Sequence, residues 1–264
     1  MAKNKQPVRV IEGSMTPFEP FWRFTDAAQT ESGEVELEFF GPISEYSWWG
    51  DEVTPEMFKN DLYQKGGGKP VTVLVNSPGG EVIAASVIRS ILQEYPGKIT
   101  ADIVGLAASA ATIVVTGADH IRMRESALFM IHDPSGLAMG TVDEIKQFID
   151  ILKTVKDSIV DAYQTKTKID RDKLAKMMTD ETWMTAREAK DYGFIDEVVT
   201  GSIKKTTMSN MPLGFANCLS NYANVPDALK SLLSTPVETD TAQNEPSAEE
   251  RRLRDEVKLI QGAK

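Results

Sequence analysis

The chain contains two histidines, and these are its first candidates for acid–base chemistry. His132 follows an apolar run typical of a strand and precedes Asp133 and a glycine-containing loop. An imidazole with a pKa of about 6.5 suits general base catalysis at neutral pH, although structural histidines at strand ends are as common. His120 lies in a polar turn, and we interpret it as a solvated surface residue.

Ser109 is the candidate nucleophile. It follows Ala107 and Ala108 and precedes an apolar pattern typical of a helix. Small neighbours let a substrate backbone approach, and the N–H groups at a helix N-terminus can stabilise an oxyanion. The alternative is a serine that only caps this helix, which by itself is the more common role.

A turn with two consecutive glycines follows a predicted buried strand. Its sequence is Asn76-Ser77-Pro78-Gly79-Gly80. Paired glycines allow main-chain N–H groups to face a ligand, although an ordinary strand-to-helix turn has the same composition. A phosphate-binding P-loop is excluded, because the lysine and hydroxyl residues of that motif do not follow the glycines.

The elements that must position these residues alternate between strand and helix patterns. Alternating or continuous apolar runs predict strands at residues 34–39, 71–75, 99–103, 121–130 and 195–199. Apolar spacing and capping residues predict helices at residues 54–66, 83–95, 109–115, 141–165 and 185–193. This alternation predicts an α/β fold with a largely parallel sheet.

The density of these patterns divides the chain into three parts. Residues 1–33 are polar and are interpreted as an N-terminal arm, and residues 34–200 form the folded domain. Residues 201–264 are predicted to be a largely flexible C-terminal extension, because residues 238–250 are rich in Thr, Glu, Asn, Pro and Ser.

The charge, the apolar runs and the cysteine count indicate which partners and which cellular compartment to expect. The formal net charge of −10 argues against nucleic acid as the main partner, since phosphate binding needs a basic surface. The longest apolar region, residues 103–115, is too short to span a membrane, and the N-terminus lacks the apolar stretch of a signal peptide. A single cysteine, Cys218, allows no disulfide within the chain, so we expect a cytoplasmic protein.

Four motifs occur in an order and spacing that resemble the Clp protease proteolytic subunit family. They are the glycine turn at 76–80, GLAASA at 105–110, MIHDP at 130–134 and AKDYGFID at 189–196. The resemblance covers roughly residues 34–200. It implies the Clp-protease/crotonase-like fold, which has repeated strand–strand–helix units and a protruding handle helix corresponding to residues 141–165.

The resemblance also implies a serine endopeptidase that needs no metal or other cofactor. Its nucleophile and base correspond to Ser109 and His132, and its oxyanion hole to the N–H groups of Gly80 and Ala110. The family's acid, an aspartate, corresponds to Glu181. The alternatives are the neighbouring Asp180, or that neither acid completes the triad.

The biological role has several interpretations. The 181–183 segment, Trp48-Trp49-Gly50 and the C-terminal extension resemble bacteriophage Clp-type proteases, which are similar to head-maturation proteases. This implies peptide or protein substrates, a homo-oligomeric ring, and capsid or scaffold proteins as partners. The alternatives are a housekeeping Clp subunit working with a ring ATPase and an inactive scaffold component. The serine–histidine pair argues against an acyl-coenzyme A enzyme of the crotonase-like superfamily.

Overall fold

The computed structural model describes residues 22–25, 35–43, 55–200 and 222–227. The chain divides into two compact units, Met1–Val225 and Pro226–Lys264, and all the elements described here belong to the first. The Trp48-Trp49-Gly50 loop, Cys218, most of the predicted arm and most of the predicted C-terminal extension lie outside the described residues.

The described strands form one eight-stranded sheet. They are β1 (Trp22–Thr25), β2 (Val35–Phe40), β3 (Val71–Ser77), β4 (Ile99–Ala108), β5 (His120–Arg124), β6 (Leu128–Ile131), β7 (Thr182–Thr185) and β8 (Glu197–Val199). The order is β1-β2-β3-β4-β5-β8, and β6 pairs with both β4 and β7. Among the described strands, only the β1–β2 and β6–β7 pairs are antiparallel, which confirms the predicted α/β fold.

Six helices connect these strands within the described residues. They are α1 (Pro55–Gly66), α2 (Val82–Glu94), α3 (Ala110–Val115), α4 (Val142–Gln164), α5 (Arg171–Thr179) and α6 (Ala186–Asp191). The helices α4 and α6 both begin with the predicted capping boxes, Thr141 with Glu144 and Thr185 with Glu188. These reciprocal bonds satisfy N–H groups that a helix N-terminus otherwise leaves unpaired.

Three short elements were not predicted from the sequence. Residues 22–25, assigned above to the N-terminal arm, form β1 along the edge of the sheet against β2. Helix α5 begins at the N-cap Asp170, whose side chain accepts from two N–H groups of the first turn. Strand β7 has only four residues, so its pattern is too short to distinguish from a loop.

Strand β4 brings the candidate nucleophile and base together. Its first half pairs with β5 as far as Ile103, and its second half pairs with β6 as far as Ala108, which lies opposite Met130. Ser109 and His132 follow these paired positions by one and two residues. Because β4 and β6 are parallel, both residues leave the same edge of the sheet.

Helix α4 is buried only at its C-terminal end. Its buried residues are Ile159, Val160 and Tyr163, whereas Ile145 and Ile149 keep 40% and 46% of their surface exposed. The sequence left open whether the apolar stripe packs on its own domain or on another subunit. Within the described chain only the last turns of the stripe are covered. No helix among the described residues is long and apolar enough to cross a membrane.

Candidate active site

The side chains of Ser109 and His132 form a direct hydrogen bond. His132 Nε2 lies 2.7 Å from Ser109 Oγ. Ser109 is the N-cap residue of α3, yet its side chain makes no capping hydrogen bond. The alternative role considered from the sequence, a serine that only caps the helix, therefore does not describe this side chain.

The backbone of Ser109 is held in an unusual conformation. Its φ of 55° and ψ of −127° lie in a region that non-glycine residues rarely adopt, at a cost of about 1–3 kcal/mol. The Ser109 N–H donates to the Met130 carbonyl at 2.9 Å, and the Thr112 N–H donates to the Ser109 carbonyl at 2.9 Å. These bonds fix the sharp turn from β4 into α3 and orient Oγ towards His132.

A buried chain of hydroxyl groups supports the same carbonyl. Thr112 Oγ1 donates to the Ser109 carbonyl at 2.5 Å and lies 2.6 Å from the Tyr163 hydroxyl. Because Thr112 donates its hydroxyl proton to the Ser109 carbonyl, the Tyr163 hydroxyl must donate to Thr112 Oγ1 in the second bond. Burial raises the pKa of Tyr163, so this donor stays protonated. The C-terminal end of α4 is thus connected to Ser109.

The environment of His132 favours a neutral imidazole. Burial lowers the pKa of His132 below its ordinary value of 6.5, and the negative charges of Glu181 and then Asp133 partly oppose this shift. Lys156 Nζ lies 2.7 Å from Asp133 Oδ1, which offsets part of the Asp133 charge. A neutral imidazole at pH 7 is free to accept the Ser109 proton.

Glu181 lies near His132 but is bound to other groups. Its Oε1 accepts from the indole N–H of Trp183 at 3.1 Å and from the Asn224 N–H at 2.6 Å, and its Oε2 accepts from the Ala223 N–H at 2.8 Å. Among the described residues, no hydrogen bond joins the Glu181 carboxylate to His132. Glu181 therefore acts on the imidazole through its charge in this conformation.

Asp180, the alternative acid, faces another partner. Its carboxylate oxygens accept from Lys176 Nζ at 2.8 and 2.5 Å on the surface of α5, and its side chain is 54% exposed. The charge of Glu181, by contrast, raises the pKa of His132 against the effect of burial. Of the two acids, Glu181 is thus the one whose charge influences His132.

The glycine turn lies directly against Ser109. A Cβ added to Gly79 would come within 2.7 Å of Ser109 Cβ, and one added to Gly80 within 2.0 Å of the Ile43 carbonyl oxygen. Both glycines have positive φ values, 92° and 145°. The Gly80 N–H donates to no group in the described parts of the chain. Ala110 is the first residue of α3, where N–H groups lack intrahelical acceptors.

The structure adds residues that the sequence interpretation missed. The Tyr222 ring packs edge-on against His132 with centroids 5.1 Å apart, and it contacts Trp183 at 6.0 Å. Tyr222 lies in the predicted flexible extension, where no periodic pattern pointed to a contact with the site. His120, by contrast, lies beside Asp196 and Glu197 at 3.5 and 3.3 Å, with its side chain 35% exposed, and takes no part in the Ser109–His132 pair.

Comparison with known proteins matches this chain to one protein family. The model of the Clp protease family matches residues 51–202. The ATP-dependent Clp protease proteolytic subunit 2 of Thermobifida fusca is 33% identical over 138 residues, which cover 51% of this chain and 67% of that protein. The proteolytic subunit of Bacteroides thetaiotaomicron is 36% identical over 137 residues, which cover 50% of this chain and 61% of that protein.

A third relative extends the match over more of the chain. The ATP-dependent Clp protease proteolytic subunit 1 of Chlamydia pneumoniae is 31% identical over 183 residues, which cover 67% of this chain and 93% of that protein. The family match spans both the glycine turn and the segment that contains Glu181. The chain therefore belongs to the Clp protease family of serine peptidases.

Proposed function

We propose that the protein is an endopeptidase in which Ser109 is the nucleophile and His132 the general base. The observation that carries this proposal is the 2.7 Å contact between His132 Nε2 and Ser109 Oγ. The buried, neutral imidazole and the strained backbone of Ser109 support the same roles. Because the chain belongs to a protease family, we expect peptides or proteins as its substrates.

The reaction follows from this geometry. His132 Nε2 takes the proton of Ser109 as Oγ attacks the peptide carbonyl carbon, and the imidazolium then protonates the leaving amine. Water, deprotonated by the same imidazole, attacks the acyl-enzyme, and Ser109 recovers its proton. None of these steps requires a metal or a nucleotide at this site.

The N–H groups of Gly80 and Ala110 are proposed to bind the oxyanion. Gly80 is the last residue of the turn that packs on Ser109, and Ala110 is the next residue after the nucleophile. Each donor of this kind typically contributes about 3 kcal/mol to transition-state stabilisation. Substrate must therefore enter between the glycine turn and the start of α3.

Glu181 is proposed as the acid that supports His132. Its charge favours the imidazolium that forms during the reaction, and it is the first of the two acids that oppose the effect of burial. Its conformation, with φ of 49°, places the residue at the start of β7, next to β6 and His132.

Peptide cleavage by the full-length protein tests this proposal. Ser109→Ala is expected to abolish turnover of a fluorogenic peptide while leaving thermal unfolding unchanged. The matched control is Ser158→Ala, an exposed serine on α4, which should retain wild-type turnover. Retained cleavage by Ser109→Ala would show that another group carries out the reaction.

We also propose the assembly and the protein partners of this peptidase. We infer a homo-oligomeric ring, because the outer turns of α4 present apolar residues that the described chain leaves uncovered. The C-terminal extension favours a head-maturation role in which capsid or scaffold proteins are cut. The relatives are named ATP-dependent, and this observation favours the alternative of a housekeeping subunit working with a ring ATPase.

The two roles differ in their requirement for ATP. A head-maturation protease should cleave a scaffold or capsid protein encoded beside its gene when no nucleotide or ATPase is present. A housekeeping subunit should leave such folded proteins intact and degrade casein only when a ring ATPase and ATP are added. Casein degradation that depends on the ATPase would replace the head-maturation proposal with the alternative.

A further inference from the structure

Residues 222–224 contact the base, the acid and the glycine turn at once. The Tyr222 ring packs against the His132 imidazole, and its hydroxyl donates to the Pro78 carbonyl. Pro78 is buried and precedes the two glycines of the turn. One aromatic side chain thus joins the segment that contains the base to the segment proposed to bind the oxyanion.

The next two residues hold the acid. The N–H groups of Ala223 and Asn224 donate to the two oxygens of the Glu181 carboxylate, at 2.8 and 2.6 Å. The Asn224 side-chain amide also donates to the Asp180 carbonyl at 3.2 Å. Hydrogen bonds from N–H groups to a carboxylate are about twice as strong as neutral ones, so they fix its position effectively.

Glu181 needs such positioning more than a shorter acid would. A glutamate has one more rotatable bond than an aspartate, and its backbone here has the positive φ of 49° that non-glycine residues rarely adopt. The Trp183 indole supplies one further donor to the same carboxylate. Together these donors keep a flexible side chain beside the imidazole.

We propose that residues 222–224 form a positioning clamp, which orients His132 and Glu181 and ties both to the glycine turn at Pro78. The clamp acts through these residues and need not touch the substrate. The inference rests on the proposed function, because it assigns positioning roles around the Ser109–His132 pair. It also places part of the C-terminal extension within the working site.

The clamp predicts a change in the pH dependence of the nucleophile. Within the described residues, the groups that face His132 are Ser109, the Tyr222 ring and the charges of Glu181 and Asp133. Removing the Tyr222 ring admits water to the imidazole, and this reduces the burial that lowers the pKa of His132. The acid limb of the pH–rate profile should then move to higher pH, because the pKa of His132 rises towards its ordinary value.

The experiment measures the rate of inactivation of the full-length protein by a fluorophosphonate as a function of pH. Tyr222→Ala should lower the plateau rate about 10-fold or more, since misplacement of reacting groups by about 1 Å can cost 100-fold. It should also shift the acid limb to higher pH. Tyr222→Phe keeps the ring against His132, so its acid limb should match wild type.

Ala223→Pro gives a second measurement that does not depend on the aromatic ring. Proline removes one N–H donor to Glu181 and leaves the side chain small. The variant should react about 10-fold more slowly, whereas Ala223→Gly, which keeps the N–H, should stay near the wild-type rate. The two Ala223 variants still test the clamp if Tyr222→Ala fails to fold.

Several outcomes would overturn the clamp. Tyr222→Ala could keep the wild-type plateau rate and acid limb, or it could lower the plateau rate without shifting the acid limb. The two Ala223 variants could also react at equal rates. A faster reaction in Ala223→Pro would show that the segment restrains Glu181 and would also overturn it. A failed clamp and a failed serine mechanism remain distinguishable, because only the latter leaves Ser109→Ala reactive.

Discussion

Ser109 lies where a strand meets a helix, a position at which serine most often caps the helix. Its Oγ instead contacts an imidazole 23 residues further along the chain. Residue type and local pattern cannot distinguish these roles, because the direction of Oγ depends on the backbone turn and on the β4–β6 pairing. The ordered resemblance of four motifs identified the pair, and the pairing of Ala108 with Met130 explains why it forms.

The acid that supports His132 is the site residue that the sequence determines least. Alignment with the family motif pointed to Glu181, and the structure places its charge near His132 but its oxygens on the N–H groups of Ala223 and Asn224. These donors lie more than 40 residues away along the chain. Short-range sequence patterns carry no information about such contacts, so the partners of Glu181 could not be predicted.

A pair of acid substitutions tests the assignment at this scale. Glu181→Gln should lower kcat for peptide cleavage about 100-fold, because the charge that favours the imidazolium is lost. Asp180→Asn should change kcat less than about 5-fold, since in the described part of the chain the Asp180 carboxylate pairs with Lys176 at an exposed site. Steady-state kinetics of both variants measure the difference, and the reverse ranking would assign the supporting acid to Asp180.

The long helices were predicted well, whereas β1, α5 and β7 were missed. The capping boxes of α4 and α6 are local and specific, so their first residues were identified from the sequence. Helix α5 has a capping aspartate and an apolar face of Leu174, Met177 and Met178, both of which are local sequence signals for a helix. Strand β1 and strand β7 have four residues each and depend on their neighbours for pairing.

Helix α4 contributes to the site through its last turns. Tyr163→Phe removes the hydroxyl that donates to Thr112 and thereby weakens the support of the Ser109 carbonyl. The free energy of unfolding should fall by about 1 kcal/mol, the usual contribution of one buried hydrogen bond. Urea denaturation measures this change, and peptide turnover should fall with it.

Tyr192→Phe is the matched control for this hydroxyl deletion. The Tyr192 ring lies beneath Lys173 Nζ, and its hydroxyl forms no hydrogen bond within the described residues. Its unfolding free energy should change by less than about 0.5 kcal/mol. Equal stabilities and turnover rates for the two variants would show that the Tyr163 hydroxyl is not needed to hold the nucleophile.

At the scale of the whole molecule, the outer part of α4 is the feature that one chain does not explain. Val142, Ile145 and Ile149 recur at helical spacing, and each exposes at least 40% of its surface. Periodicity predicted the helix and its apolar stripe, but periodicity is the same for a stripe that meets its own domain and one that meets a partner. Only the position of α4 on the fold separates these cases.

If the stripe joins subunits of a ring, one buried charge should break the contact. Ile149→Asp should weaken association about 100-fold, equivalent to about 3 kcal/mol for an unpaired charge at an interface. Light scattering at several concentrations measures the mass. Gln147→Asp adds the same charge about half a turn around the helix and should leave the mass unchanged. An unchanged mass in Ile149→Asp would exclude this stripe as the subunit contact.

The most direct test of the central claim is to locate the residue that reacts with a fluorophosphonate in the full-length protein. Peptide mass spectrometry should find one modified residue, Ser109, because its Oγ is activated by His132 Nε2 at 2.7 Å. Labelling should disappear in both Ser109→Ala and His132→Ala. Modification of a different serine, or undiminished labelling of Ser109 in His132→Ala, would contradict a serine nucleophile activated by this histidine.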